Sequence, residues 1–142
     1  MMRGMVRCDY KVLGIPVYYD ERMTNISSFS GLSRWKRIKV GPLFWKLTNR
    51  EQQAVLLHEA GHCQLDHLQK RILWAWLALV YPKKLMEICH EQEYQADQFA
   101  AAAGYRLDLV SFFNKLQEGE VEVDFHPTLQ SRIERLMGAQ GA

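Results

Sequence analysis

The sequence lacks a long apolar run, a charge excess of one sign, a paired cysteine pattern and any internal repeat. Its longest apolar run, Ile72 to Tyr81 (ILWAWLALVY), is half of the roughly 20 residues that a membrane-spanning helix needs, so a spanning segment is not expected. The net charge is only +2, and basic residues alternate with acidic ones except at Arg34 to Lys39 (RWKRIK), so nothing announces a nucleic-acid partner. Cys8, Cys63 and Cys89 are odd in number and lack CxxC spacing, which excludes a sequence-evident disulfide framework or four-cysteine zinc site. Arginines, Asp9 and Lys11 interrupt the N-terminal stretch, so it does not read as a signal peptide. The expected location is cytoplasmic, in a reducing compartment.

What is present suits one globular unit. With 142 residues, 48% of them hydrophobic, the chain can bury one sizeable core, and residues 1–142 are read as a single domain. Residues 10–20 and 37–40 carry β-branched and aromatic residues broken by Gly14, Pro16 and Gly41, the pattern of short strands and turns. The serine-rich stretch 24–33 between them reads as a loop. Thr48 opens T-N-R-E, a capping box that starts a helix expected from about Asn49 through Leu68 or beyond. Pro82 suits the first turn of a further helix that continues to Ala103 and stops at Gly104. A third helix is expected over Leu107–Gln117 and a last one from Pro127 to near Gly138. Sheet first and helices after is α+β organisation.

Within the first helix lies HEAGH, His58 to His62. Residues four apart on a helix are displaced by about 40° around the axis and about 6 Å along it, so both imidazoles can address one ion. Glu59 is offset by about 100°, placed to reach a water at that ion without ligating it. This is the H-E-x-x-H arrangement of zinc hydrolases. A hydrolytic zinc site needs a third protein ligand and an open position. The metzincin pattern would put that ligand at position 68 with glycine at 65; both are leucines here. His67 would lie about 140° from His62 on a continuous helix, and is read as a surface or packing histidine. Glu93, in EYQAD on the next helix, is the better candidate, with Asp97 one turn on to accept a hydrogen bond from a ligand imidazole. His90 and Glu91 are close by, and spacing alone does not choose among them.

HEAGH at 58–62, EYQAD at 93–97 and HPTLQSRIERL at 126–136 together resemble the ordered motifs H-E-x-x-H, E-x-x-A-D and H-P-x-x-x-x-R-I. These belong to the HtpX-like and CAAX prenyl endopeptidase family of zinc metallopeptidases, peptidase family forty-eight. The resemblance spans about residues 45–137. It implies a zincin-like fold of the gluzincin type, a small N-terminal sheet followed by a helical bundle carrying one Zn2+ per chain. It further implies that His58, His62 and Glu93 are the ligands, Glu59 the general base and Asp97 a partner of a ligand. By the same resemblance His126 lies at the active-site edge and stabilises the oxyanion, and Arg132 braces the zinc-binding helices through carboxylate contacts. Many members of the family carry spanning helices, including a hydrophobic segment between the first two motifs. Only Ile72 to Tyr81 stands at that place here.

The expected activity is therefore zinc-dependent endopeptidase hydrolysis of a polypeptide, with a zinc-activated water and Glu59 as base. Ile38, Lys39 and Val40 are read as a sheet edge on which an extended substrate adds as a strand, or else as a simple core hairpin. Ile72 to Tyr81 is a candidate for peripheral membrane or dimer contact, since Trp74, Trp76 and Tyr81 favour a membrane boundary. The alternatives are a narrow regulatory protease of another H-E-x-x-H family and a non-catalytic zinc-stabilised binding domain. Glu59 argues against the latter, because a structural site has no use for a base beside its ligands.

Overall fold

Two strands, β1 (Met5–Val12) and β2 (Ile15–Asp20), pair antiparallel around a tight turn in a computed structural model that describes residues 4–117 and 126–138. Leu13 and Gly14 both take positive φ there, 50° and 78°, the backbone that lets a two-residue hairpin follow the twist of its strands. β3 (Ser27–Ser30) and β4 (Arg37–Val40) complete a four-stranded sheet in the order β1-β2-β4-β3. β4 runs parallel to β2 and antiparallel to β3. Two expectations fail here. The stretch read as a loop contains a strand, because pairing with β4 outweighs the weak strand preference of serine. Ile38, Lys39 and Val40 are not an edge: β4 is flanked on both sides, and Ile38 and Val40 are fully buried. The outer strand on that side is β3.

Helix α1 (Asn49–Gln64) starts as its sequence dictates: the Glu51 amide donates to Thr48 Oγ1 at 3.2 Å and the Thr48 amide to Glu51 Oε1 at 2.9 Å. It ends earlier than expected. Asp66 adopts the left-handed conformation (φ 55°, ψ 37°), held by an ion pair to Lys36 of 2.6 Å, and the chain restarts as α2 (His67–Trp74). α3 (Leu77–Val80) and α4 (Pro82–Ala100) follow, the latter opening on the proline. A wide turn, Ala101–Tyr105, contains Gly104 at φ 98° and redirects the chain into α5 (Arg106–Gln117). The last helix, α6 (Leu129–Gly138), begins slightly after Pro127.

Val17, Ile38 and Val40 from the sheet join Phe44, Leu56, Leu109, Phe113 and Leu136 in one contiguous apolar core. α1 packs on this core and against β3, α4 and α5, which leaves its polar residues His58, Glu59 and His62 buried between elements. Gly61 sets the closeness of α1 to α4. A Cβ there would stand 2.9 Å from Phe99 Cβ and 3.3 Å from Ala96 Cα, so a larger residue would force the helices apart. α4 in turn buries Cys89, Glu93, Ala96, Asp97 and Ala100, a helical stripe that turns both carboxylates toward α1.

The segment joining α1 to α4 stands away from this core. From Ile72 to Lys84 only Leu77 is buried. Among the described residues no helix is long and apolar enough to cross a membrane.

Candidate metal centre

His58 and His62 lie one turn apart on α1, and Glu93 reaches them from α4. His58 Nε2 is 3.1 Å from His62 Nε2 and 3.3 Å from Glu93 Oε2; His62 Nε2 is 3.2 Å from Glu93 Oε1. All three residues are buried. A tetrahedral zinc ion with bonds of about 2.0–2.1 Å holds its ligand atoms about 3.3 Å apart, so the donor spacing fits such an ion. Two imidazoles and one carboxylate are also a donor set of hydrolytic zinc sites. Of the candidates that spacing left open, Glu93 joins the two histidines in this cluster.

The surrounding groups hold these three side chains in orientation. His58 Nδ1 lies 2.9 Å from Asp97 Oδ1. Arg132, on α6, grips the same carboxylate with both arms: Nε donates to Oδ2 at 2.8 Å and Nη2 to Oδ1 at 2.6 Å. Its guanidinium also lies 3.6 Å from Glu93 and stacks over Phe113 at 4.3 Å from the ring centre. Phe29 of β3 stacks on His62 with ring centres 4.3 Å apart, and Ser27 of the same strand donates to Glu59 Oε1 at 2.7 Å. Arg71 of α2 donates to Glu93 Oε1 at 3.1 Å. Three elements beyond α1 and α4 thus converge on the cluster.

His67 is not a surface or isolated packing residue. It is fully buried, with Nδ1 2.8 Å from His62 Nδ1 and Nε2 3.0 Å from Gln95 Oε1. The 140° that separates the two residues on a continuous helix does not apply, because α1 has ended and Asp66 turns the chain back. His126 stands at the rim, half exposed, with Nε2 3.7 Å from Glu93 Oε1.

The charges follow from burial and pairing. Burial alone would lower His58, but the Asp97 and Glu93 carboxylates outweigh it and raise its pKa to about 10. Burial dominates at His62 and His67, each brought down to about 4, so both rings are neutral at physiological pH. Glu93 and Asp97 are lowered: burial opposes ionisation, but the histidines beside Glu93 and the Arg132 charge beside Asp97 prevail. Burial pushes the Glu59 carboxyl up, opposed by His58 and the Ser27 hydroxyl. Burial also raises the Cys63 thiol to about 12, which leaves it unreactive beside the cluster.

A cavity of about 330 Å³ opens against the cluster. His58, Glu59, Glu93, His126 and Arg132 form one side, and Leu43, Val55, Phe112 and Leu116 contribute apolar wall. Ser27 and the preceding loop residues Thr24 and Asn25 close the edge next to β3.

No protein-family model matches the sequence, and no curated protein matches it. Among solved structures, the fold is similar to that titled crystal structure of S. mikatae Ste24p, with a TM-score of 0.60 and 21% identity. The match covers 86% of this chain and 44% of that one, so this chain spans less than half the length of the protein it resembles. At this identity the likeness is one of fold.

Proposed function

We propose that the chain is a zinc-dependent endopeptidase of the gluzincin type, with a zincin-like catalytic fold. The observation that carries this reading is the three-donor cluster of His58, His62 and Glu93 at 3.1–3.3 Å, with the buried Glu59 lining the same cavity. The three ordered motifs and the fold likeness to Ste24p support it. His58, His62 and Glu93 hold the metal, one ion per chain. Zinc bound there supplies a Lewis acid and makes a water acidic enough to attack at neutral pH.

The chain's own residues do the rest. Glu59 accepts a proton from the attacking water; the Ser27 bond to Oε1 leaves Oε2 for that proton. The same carboxyl then delivers the proton to the departing amine, and its raised pKa suits both transfers. His126, at the rim beside Glu93, donates to the carbonyl oxygen as negative charge develops there. Arg132 and Asp97 hold His58 and Glu93 in place from behind. The substrate lies extended along β3, whose outer edge is unpaired among the described residues and whose Ser27 touches the base.

The linking segment supports contact with an anionic membrane surface. Trp74, Trp76, Leu79, Val80 and Tyr81 are exposed together, and from His67 to Met86 the chain has no acidic residue while carrying Lys70, Arg71, Lys83 and Lys84.

The deciding experiment measures zinc per chain and cleavage of an unstructured polypeptide for the native protein, Glu93→Ala and Glu59→Gln. The reading expects one zinc in the native chain, retained in Glu59→Gln and weakened in Glu93→Ala, with cleavage lost in both variants. A native chain without stoichiometric zinc would sink the proposal, and zinc without cleavage of any polypeptide would assign a binding role instead.

A further inference from the structure

His67 is buried, titratable and unused by the chemistry above, yet it touches a proposed ligand. With the oxygen of the Gln95 amide, rather than its NH2 group, turned toward His67, the hydrogen-bonded row takes one direction. Gln95 presents its carbonyl oxygen Oε1, which only accepts, 3.0 Å from His67 Nε2. His67 Nε2 therefore carries the proton and donates. A neutral imidazole has one N–H, so His67 Nδ1 is left as an acceptor. Only His62 Nδ1–H can fill the 2.8 Å contact between the two Nδ1 atoms, which leaves the lone pair of His62 on Nε2. Nε2 is the atom that faces His58 and Glu93, 3.1 and 3.2 Å away.

We propose that His67 is a positioning residue that, anchored by Gln95, locks His62 in the Nδ1–H tautomer and so aims the Nε2 lone pair at the metal. This rests on the metallopeptidase reading and deepens it. The device differs from that at His58, where a carboxylate does the same task through Asp97. A neutral acceptor suits His62 because Glu93 and Arg71 already place opposite charges nearby, at 3.2 Å from His62 and 3.1 Å from Glu93 respectively. The left-handed turn at Asp66, where α1 has ended, brings His67 back to the flank of His62.

The test has a readout that needs no activity. Two-bond side-chain 15N–1H correlation on the metal-free native chain should show His62 protonated on Nδ1 and bare on Nε2. His67→Phe keeps the shape and removes the acceptor; His62 should then shift toward Nε2–H, and Zn2+ affinity measured against a chromogenic chelator should fall about 10–100-fold. His67→Asn offers an amide oxygen near the old Nδ1 position and should restore both the tautomer and most of the affinity. A purely structural role would leave the Asn variant as impaired as Phe. Native His62 protonated on Nε2, or zinc binding in His67→Phe as tight as native, would overturn the positioning role while leaving the peptidase reading intact. A native chain that binds no Zn2+ would overturn that reading, and with it the purpose assigned to His67.

Discussion

Asp97 Oδ1 lies 2.9 Å from His58 Nδ1 and 2.6 Å from Arg132 Nη2, so one carboxylate oxygen ties a proposed ligand on α1 to the closing helix α6. Asp97 is buried, as is the guanidinium it neutralises. Asp97→Ala removes the partner that His58 and Arg132 share. Zinc affinity should fall about 10–100-fold through the loss of ligand orientation, and stability by up to about 3–5 kcal/mol because the buried Arg132 loses its bidentate partner and keeps only the 3.6 Å contact to Glu93. Chelator competition and denaturant unfolding measure the two separately. Unchanged affinity in a folded variant would show that His58 needs no partner.

Metal binding should release a proton. In the metal-free chain His58 is held charged, its pKa raised to about 10, while His62 at about 4 is already neutral. A metal must therefore displace one proton, from His58, at neutral pH. Between roughly pH 5 and 9 each unit of falling pH should weaken binding about tenfold, and below about pH 4 the dependence should steepen as His62 also protonates. Calorimetry in buffers of differing ionisation enthalpy counts the protons directly. Release near zero at pH 7 would mean that His58 is neutral before the metal arrives.

Local rules made much of this legible. The capping box fixed the start of α1, the 58–62 spacing put two imidazoles on one face, and Pro82 and Gly104 marked the limits of α4 closely. What the sequence hid were contacts made by tertiary pairing. Ser27 and Phe29 sit in a serine-rich stretch with no strand signature, and become a strand only because β4 offers a partner. His67 was concealed by one residue, Asp66, whose left-handed turn ends a helix that carries no glycine or proline there. Arg71 and Gln95 carry no spacing signal of their own; their roles exist only once α2 and α4 are packed.

Glu51 offers a pH test away from the His58, His62 and Glu93 cluster. Burial would raise its carboxyl, but Lys115, the Thr48 amide and Ser111 outweigh it and lower the pKa to about 2 from 4.5. The folded value is below the unfolded one, so this group's stabilisation is fully present above about pH 4.5 and is lost as pH falls toward 2. Glu51→Gln keeps the cap's shape and removes the charge. It should be less stable by about 1–2 kcal/mol at pH 7, a modest figure because Lys115 is half exposed, and the gap to the native chain should narrow below about pH 4.5 and close as pH falls through about 2. Urea unfolding across that range follows it. A gap independent of pH would place the effect in packing rather than charge.

Trp76 and Leu79 are 54% and 91% exposed, beside lysines at positions 83 and 84 and on a stretch without acidic residues. An exposed apolar surface of this kind marks an interaction site, and a bilayer interface accepts both its aromatic rings and its cations. Native protein should sediment with vesicles containing anionic phosphatidylglycerol and much less with pure phosphatidylcholine. Added salt should weaken the association, because the lysine contribution is screened. Leu79→Glu, at a site with almost no protein contacts, should abolish sedimentation without lowering thermal stability. If the native chain ignores both vesicles and instead forms dimers that Leu79→Glu dissolves, the partner of this surface is a second copy of the chain, and the membrane proposal fails.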